Sequence, residues 1–417
     1  MEWDTSTLVG PDGEDWRVPV SELEDRQKRL SVALAEEGIE SAYIEDPVEL
    51  YWLTGGRQSG ILVIGASGTD VETTHLVKKS LPRAIWESGG SNSPDPVIQQ
   101  PRSSDLEKGL KSVGVTKTPA MLDSTLPHSR KRFLSKCLSG LEDSKEDASK
   151  MLHRLRETKS SWEIDQIRES GRVNHEMFLA VAERCGDGMT ELDVASVAEE
   201  VSRKRGFGGR IRMRRWPMDC DRAVVASGRS GGVPSFFDSA IGGSGANPMA
   251  PLGSGHRRIE NRVPVLVDIV HVHRGYISDC TRMFSSGSLP EIWIERLNDM
   301  VEIRDSVVNK LGSGGTCSEA WELGRDLAIE MGYAEHLMGM KSHQAKFLGH
   351  SVGLELDESP VLANGFDRAM HEGCIMAIEP KVVYDDGAVG TEDTWVAGKD
   401  GLECLTSGKS FPLHVEW

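Results

Sequence analysis

Apolar residues recur at helical spacing near the start of the chain. Between positions 21 and 37, apolar residues alternate with charged ones in the spacing of an amphipathic helix: Leu23, Leu30, Val32 and Leu34. The motif Ser21-x-x-Glu24 is typical of a helix N-terminus, because each side chain can accept a bond from the other residue's backbone N–H. Residues 1–20 show no such pattern, and we expect a loose N-terminal arm there.

Short runs of apolar and β-branched residues follow this helix. The runs at 41–45 and 60–65 predict strands, and helical segments alternate with them up to about residue 140. Such alternation is typical of a small α/β domain, which we place at residues 21–142. Polar, turn-rich residues then predict a linker at 143–157, and a second domain is expected at 158–417.

The second domain contains an internal repeat. Thr190 begins a helical pattern that ends at Gly206-Phe207, and Thr316 begins a similar pattern that ends at Gly332-Tyr333. The two threonines are 126 residues apart, the difference between their positions. The repeat predicts two structurally related halves, each with a pair of helices, and a site between them.

Side chains able to bind metal follow in a fixed order along this domain. Residues 265–284 predict a pair of strands that reverses at Gly275 and carries Asp268 and Asp279. Three motifs follow, Gly-His-x-x-Gly-Leu, Ile-Glu-Pro and Glu-Asp-Thr, which contain His350, Glu379 and Glu392. Residues 275–282 supply a fourth motif, Gly-Tyr-x-x-Asp-x-Thr-Arg, which precedes these three. A chain with 65 Asp and Glu residues scatters carboxylates by chance, but chance does not explain four such motifs in this order.

At these motifs the chain resembles the pita-bread metallopeptidases of family M24, which include Xaa-Pro aminopeptidases and prolidases, with creatinase as a metal-free relative. The resemblance implies an α/β (α+β) fold, with a creatinase-like N-terminal domain before a pita-bread catalytic domain of pseudo-twofold halves. It implies a homodimer and a dinuclear metal centre. The five implied metal ligands are Asp268, Asp279, His350, Glu379 and Glu392.

The ligand set itself indicates the chemistry. Four carboxylates and one imidazole suit two ions of Mn²⁺, Co²⁺, Fe²⁺ or Zn²⁺ better than the thiolate sites of structural zinc do. Two such ions, about 3.5–4 Å apart, activate a water molecule and polarise a carbonyl group. We therefore expect hydrolysis or a related Lewis-acid reaction, with Glu379 and His350 both binding metal and taking part in catalysis.

The chain departs from the family pattern on the substrate side. Family peptidases have a histidine about eighteen residues before the first aspartate ligand. In this chain the corresponding residues 247–251 contain no histidine, and the nearest one is His256. Asp357 stands seven residues after His350, in place of a second family histidine, and we predict a catalytic role for it as base or anion. Gly390 replaces a family arginine. Tyr276 and His343 are the remaining candidates for substrate binding.

Charge and cysteine usage exclude other classes. The formal net charge of −17 argues against nucleic acid as a partner, because nucleic-acid binding depends on cations that neutralise phosphates. The basic cluster at 203–215 is either a solvated helix end or a rim for an anionic group. Seven scattered cysteines without a C-x-x-C pair, and no apolar run long enough to span a membrane, favour a cytoplasmic protein without membrane contact.

Three functions are compatible with these features. The leading one is a metal-dependent hydrolase of a short peptide or peptide-like amide, of the Xaa-Pro dipeptidase or aminopeptidase type. The alternative is a non-peptidase enzyme on the same fold, a lyase or amidohydrolase that acts on a small metabolite. A non-catalytic binding module is the third, and the five intact ligand types argue against it.

Overall fold

The computed structural model describes residues 8–10, 12–207, 210–215, 218 and 220–417. It divides the chain into two compact units, Met1–Arg156 and Glu157–Trp417. Residues Ser149–Glu157 form a helix, so the second part of the expected linker at 143–157 is helical. No helix in these described ranges combines the length and the apolar character needed to cross a membrane.

The first unit contains six α-helices and four strands in its described part, with α6 ending one residue beyond it. The elements are α1 (Val20–Glu36), β1 (Ser41–Ile44), α2 (Pro47–Thr54), β2 (Gly60–Gly65), β3 (Thr74–Val77), α3 (Leu81–Glu87), β4 (Val97–Gln99), α4 (Leu106–Ser112), α5 (His128–Leu134) and α6 (Ser149–Glu157). The strands form one sheet in the order β1-β2-β3-β4, in which only the β3/β4 pair is parallel.

Helix α1 buries the three leucines of the predicted apolar set, whereas Val32 of that set is exposed. Leu23, Leu30 and Leu34 have no exposed surface. The predicted cap at Ser21 is wrong, because the helix begins one residue earlier: Pro19 is the N-cap residue, and no side chain caps the first turn. Ser21 therefore lies inside the first turn.

The second unit repeats one order of elements, a helix pair followed by strands. Its first half contains α7 (Ser161–Arg184), α8 (Glu191–Lys204), β5 (Ala223–Ser227), β6 (Val265–His273) and β7 (Tyr276–Ser285). The remainder contains α9 (Glu291–Gly312), α10 (Cys317–Glu330), β8 (Phe347–Ser351), β9 (Glu358–Ala363), β10 (Ile375–Ile378), β11 (Lys381–Tyr384), β12 (Gly387–Gly390), β13 (Asp393–Gly398), β14 (Gly401–Cys404) and β15 (His414–Glu416).

The two predicted threonines begin equivalent helices. Thr190 caps α8 in a capping box with Asp193, and Thr316 caps α10 in the same way with Glu319. Each box satisfies backbone N–H groups that a helix start would leave unbonded. The capping residue of α7 is Ser160, which forms a capping box with Glu163.

The strands of the second unit form two larger sheets and one separate pair. One sheet has the order β15-β7-β6-β5, a second has the order β14-β13-β10-β8-β9, and β11 and β12 form a separate pair. In the antiparallel β6/β7 pair, Asp268 lies opposite Thr281 and Val270 lies opposite Asp279. Opposed residues and residues two apart share one face, so both aspartates point to the same side of the sheet.

Candidate metal centre

The structure brings all five sequence-predicted ligands into one cavity. Two come from the adjacent strands β6 and β7, one from β8, one from the residue after β10, and one from the connection between β12 and β13: Asp268, Asp279, His350, Glu379 and Glu392. The first two therefore belong to one half of the second unit and the other three to the second half. A site between the halves is what the internal repeat predicts.

Three of these residues form a compact group. The candidate ligand atoms of Asp279, His350 and Glu392 lie within 4.8 Å of one another, and among the described residues this is the one group of at least three potential ligands that meets this spacing. The imidazole is oriented towards the carboxylates, since His350 Nε2 lies 3.4 Å from Glu379 Oε1 and 4.0 Å from Asp279 Oδ2.

Two buried oxygens indicate that a cation belongs here. Asp279 Oδ1 and Glu392 Oε1 have no hydrogen-bond partner among the described residues, although the two side chains are buried. A buried anionic oxygen is costly unless it is paired or coordinates a metal. The residues present therefore fit a hard divalent ion with oxygen and imidazole ligands.

A lysine that belongs to none of the predicted ligand motifs lies in the middle of the carboxylates. Lys381 Nζ is 2.6 Å from Glu379 Oε2, 2.7 Å from Glu392 Oε2 and 3.6 Å from Asp268 Oδ2. Its side chain is 1% exposed. A lysine beside a Glu-Pro motif is easily taken for a surface residue. The available signal was the apolar run Val382-Val383 that follows, which predicts that the strand is buried.

Burial and the lysine together set the acidities. Burial raises the pKa of Asp279 well above its usual range, and the neighbouring Glu392 and Asp268 raise it further. Burial also raises the pKa of Glu392, to about 8, against the opposing effect of Lys381. Burial acts on Glu379 in the same direction, but Lys381 and His350 outweigh it and lower its pKa to about 2. The carboxylates need a further cation to be ionised together.

Residues of the surrounding motifs hold the ligands in position. The Thr281 hydroxyl donates to Glu392 Oε2 at 2.9 Å. The backbone N–H of Asp279 donates to the Thr394 hydroxyl, which in turn donates to the Asp279 carbonyl. These contacts join β7 to the start of β13, so the ligands from the two halves have a fixed spacing.

Among the described residues, the other wall of the cavity combines apolar side chains with several charged ones, including Asp221 and Asp238. Apolar side chains from the glycine-rich segment 227–255 and from 356 line it, among them Phe237, Ile241, Leu252 and Leu356. Arg215 also lines it. Part of the glycine-rich segment thus faces the cavity.

Asp357 lies at the cavity, but its carboxylate is occupied. It accepts hydrogen bonds from the backbone N–H groups of Arg214 and Arg215 and from Arg215 Nε at 3.2 Å. These bonds favour a role in positioning Arg215, and the predicted catalytic role of Asp357 stays a prediction.

Two predicted substrate-binding residues lie elsewhere. The Tyr276 hydroxyl donates to Glu163 Oε1 at 2.7 Å, and its ring packs edge-on against Trp162. His343 is exposed in a short turn at Lys341–His343. Neither belongs to the described residues that line the cavity, so their positions do not support the predicted roles. His350 is the only imidazole among those lining residues.

Comparisons with known proteins agree with this arrangement. The sequence model of metallopeptidase family M24 matches residues 165–399. An Xaa-Pro dipeptidase of Pyrococcus furiosus is 25% identical over 385 residues, which cover 92% of this chain and 98% of that protein. A probable dipeptidase of Mycobacterium bovis is 28% identical over 257 residues, 61% of this chain and 60% of that protein.

Solved structures show the same fold. An Xaa-Pro dipeptidase from Bacillus anthracis superposes with a TM-score of 0.77 at 22% identity, covering 94% of this chain and 99% of that one. A prolidase from Pyrococcus horikoshii gives a TM-score of 0.72 at 22% identity, covering 92% and 98%. The expected fold class, a creatinase-like α/β domain followed by a pita-bread domain, is confirmed.

Proposed function

Because the chain belongs to metallopeptidase family M24, we propose that it is a metal-dependent hydrolase of short peptides with proline after the cleaved bond. The observation that carries this proposal is the set of five candidate ligands from two halves of the fold around one cavity. Relatives over nearly the full length are named Xaa-Pro dipeptidases, which supports the substrate class.

The proposed chemistry assigns separate roles to the residues. A bound Mn²⁺, Co²⁺, Fe²⁺ or Zn²⁺ supplies a Lewis acid that polarises the scissile carbonyl and acidifies water. Asp279, His350 and Glu392 would hold such an ion. Glu379 Oε1, which faces His350 Nε2 at 3.4 Å, accepts the proton of the attacking water. The neighbouring ammonium group of Lys381 keeps the other Glu379 oxygen fixed at 2.6 Å.

The opposite wall fits a dipeptide with a free carboxylate. Arg215 is the cation that lines this wall, and Asp357 fixes its Nε, which leaves its terminal nitrogens available to a substrate carboxylate. The apolar side chains of Ile241 and Leu252 provide a surface for a proline ring. Arg215 is the member of the basic cluster at 203–215 that would form a rim for an anionic group here.

The test is hydrolysis of Xaa-Pro dipeptides by protein stripped of metal and then reloaded with Mn²⁺ or Co²⁺. We expect activity only after reloading, a preference for Ala-Pro over Ala-Ala, and loss of activity in His350→Ala. His343→Ala is the matched control, because that histidine lies outside the cavity-lining residues, and it should retain activity. Equal activity with and without metal would overturn the proposal.

The second candidate is a lyase or amidohydrolase that acts on a small metabolite. Its support is the single imidazole among the described cavity-lining residues, where a peptidase of this family has further histidines near the substrate. Metal-dependent turnover of a small anionic metabolite, with no cleavage of any dipeptide, would favour this candidate. Metal binding without any turnover would favour a binding module instead.

Two properties rest on the sequence and remain proposals. The family resemblance suggests a homodimer, which light scattering at micromolar concentration tests directly. The seven cysteines, all free thiols in the structure, suggest a cytoplasmic location.

A further inference from the structure

We propose that the ammonium group of Lys381 takes the place of one of the two metal ions expected from the sequence, so that the centre binds a single divalent ion. The inference rests on the proposed metal-dependent function in so far as the centre must bind metal. It is tested by the number of ions bound, which does not depend on activity.

The ammonium group of Lys381 lies among the ligand carboxylates. Lys381 Nζ contacts three of the four ligand carboxylates, at 2.6 Å from Glu379, 2.7 Å from Glu392 and 3.6 Å from Asp268. The ammonium group donates hydrogen bonds to Glu379 Oε2 and Glu392 Oε2, and Asp268 adds a longer ion pair. The side chain is 1% exposed, so water does not compete for these contacts. The lysine occupies the space between carboxylates that a bridging cation would need.

The strand opposite Lys381 leaves space for the lysine side chain. Lys381 lies directly opposite Gly390 in the β11/β12 pair. A Cβ atom at position 390 would lie 2.5 Å from Lys381 Cγ and 2.6 Å from the Pro380 carbonyl oxygen, both closer than real Cβ contacts. Any larger residue at 390 would push the lysine stem or its backbone out of place. Lys381 and Gly390 therefore form a matched pair, and the lysine is not a chance occupant.

Two carboxylate oxygens of the centre remain without a partner in the described part of the chain when the lysine is in place. Among the described residues, Asp279 Oδ1 and Glu392 Oε1 remain without a hydrogen-bond partner, and His350 Nε2 faces the same carboxylates. These three residues are also the group whose candidate ligand atoms lie within 4.8 Å of one another. Asp268 and Glu379 are not members of this group. The atoms that still need a cation therefore suffice for one ion and not for two.

The charges agree with one ion. Four ionised carboxylates carry four negative charges, of which the ammonium group balances one and one divalent ion balances two. A second divalent ion bound through Asp268 and Glu392 would lie beside the ammonium group in a site shielded from water, where repulsion between cations is strong. The second ion could bind only if the lysine left, and every partner of the lysine is a carboxylate of the same centre.

The experiment is a count of ions in the full chain. Protein stripped with a chelator is titrated with Mn²⁺ by calorimetry, and the ions retained after gel filtration are measured by elemental analysis. We expect one ion per chain, with the electron paramagnetic resonance spectrum of an isolated Mn²⁺. Two ions per chain with the spectrum of a coupled pair would overturn the inference while leaving the proposed function intact. No bound ion would overturn both.

A variant shows whether the lysine is the cause. Lys381→Ala removes the charge and opens space, and we expect it to bind two ions per chain. Lys159→Ala is the matched control, because Lys159 is also buried and paired with a carboxylate, Glu358 at 3.1 Å, and it should still bind one ion. One ion in Lys381→Ala would overturn the role of the lysine. If Lys381→Ala does not fold, the count on the unmodified chain still decides.

Discussion

Arg282 and Asp393 form an ion pair in which neither side chain has any exposed surface, with Arg282 Nη2 at 2.9 Å from Asp393 Oδ1. Arg282 also donates from Nη1 to the Thr281 carbonyl at 2.8 Å and to the Glu392 carbonyl at 3.0 Å. The pair thus joins the strand that carries Asp279 to the residue that follows Glu392. It fixes the backbone on which candidate ligands from both halves stand.

Replacing Arg282 should therefore damage both stability and the metal centre. Removing one partner of a buried ion pair leaves an uncompensated charge and costs about 3–5 kcal/mol. We expect Arg282→Met to lower the free energy of unfolding by this amount in urea denaturation and to weaken metal binding. In Arg168→Met, which loses half-exposed ion pairs, the loss should be below about 1 kcal/mol. Equal losses in the two variants would contradict this role.

Metal binding should depend on Asp279 and Glu392. Asp279→Asn and Glu392→Gln keep the size of each side chain but remove a charge and an anionic ligand oxygen. We expect elemental analysis to show little metal in either variant, whereas Asp238→Asn, an exposed acid in the same cavity wall, should retain it. Because ligands must be deprotonated, occupancy of the unmodified protein should fall on acidification. Full metal content in both variants would disprove the assignment.

Ordinary Xaa-Pro dipeptides should be poor substrates. The loss of one group that stabilises developing charge costs about 2.7–4 kcal/mol, or 10²–10³ in rate, and the described cavity lining has only His350 as an imidazole. We expect kcat/KM on Ala-Pro below about 10⁴ M⁻¹s⁻¹ for the Mn²⁺-loaded protein. An efficiency well above this value would show that the missing histidines are neutral.

Arg215 should determine binding of the free carboxylate. Arg215→Met is expected to raise KM for Ala-Pro about tenfold, which corresponds to the loss of roughly 1.4 kcal/mol of binding free energy from one charged contact. KM for Ala-Pro amide, which has no free carboxylate, should be nearly unchanged. Asp357→Asn should have the same effect to a smaller degree, because Asp357 holds Arg215 Nε. A large fall in kcat with unchanged KM in Asp357→Asn would instead support a catalytic role.

The glycine-rich wall of the cavity should depend on Glu191. This buried carboxylate at the start of α8 accepts bonds from the N–H groups of Ser227 and Gly255, at 2.7 and 2.9 Å. Each buried donor left without a partner costs about 1–3 kcal/mol. We expect Glu191→Ala to increase the rates of amide hydrogen exchange and of proteolysis in residues 227–255. Glu200→Ala, on the same helix, should leave both rates unchanged. Unchanged protection would show that other contacts hold this segment.

Stability of the first unit should fall in mild acid because of His75. This histidine is buried, neither ring nitrogen has a hydrogen-bond partner among the described residues, and burial lowers its pKa from 6.5 to about 4. The unfolded chain takes up the proton at higher pH than the folded chain does, so stability is lost as the pH falls below 6.5. Between pH 7.5 and 5 this linkage amounts to about 2 kcal/mol. His75→Leu should lose that part of the pH dependence in urea unfolding, and an unchanged slope would refute it.

The sequence predicted those parts of the site that depend on local order. Asp268 and Asp279 lie on one face because strand alternation and a turn at Gly275 fix their register, and both features can be derived from the residues. The threonine caps of α8 and α10 were similarly evident. The sequence did not predict the role of Lys381, because that role depends on Gly390, its neighbour across a strand pair. In the sequence, Gly390 stood out only as the replacement of a family arginine.

Tertiary contacts also determine the surroundings of two other candidate residues, whose predicted roles stay predictions. Tyr276 is close in sequence to Asp279, but strand geometry and the Trp162 and Glu163 side chains direct its hydroxyl into the protein interior. Asp357 follows His350 at the expected distance, yet the loop that contains Arg214 and Arg215 occupies its carboxylate. Neither partner could be inferred from local spacing, because both come from segments more than 100 residues away in the chain.

The place of Lys381 between the two halves has a consequence for how the protein responds to its surroundings. Through Asp268 the lysine holds the first half, and through Glu379 and Glu392 it holds the second. A cation that is part of the polypeptide cannot be chelated, exchanged or diluted away. When metal is scarce, the ion pairs of Lys381 still connect the two halves at the metal centre. The enzyme should then stay folded but inactive, and binding of a single ion should restore its activity.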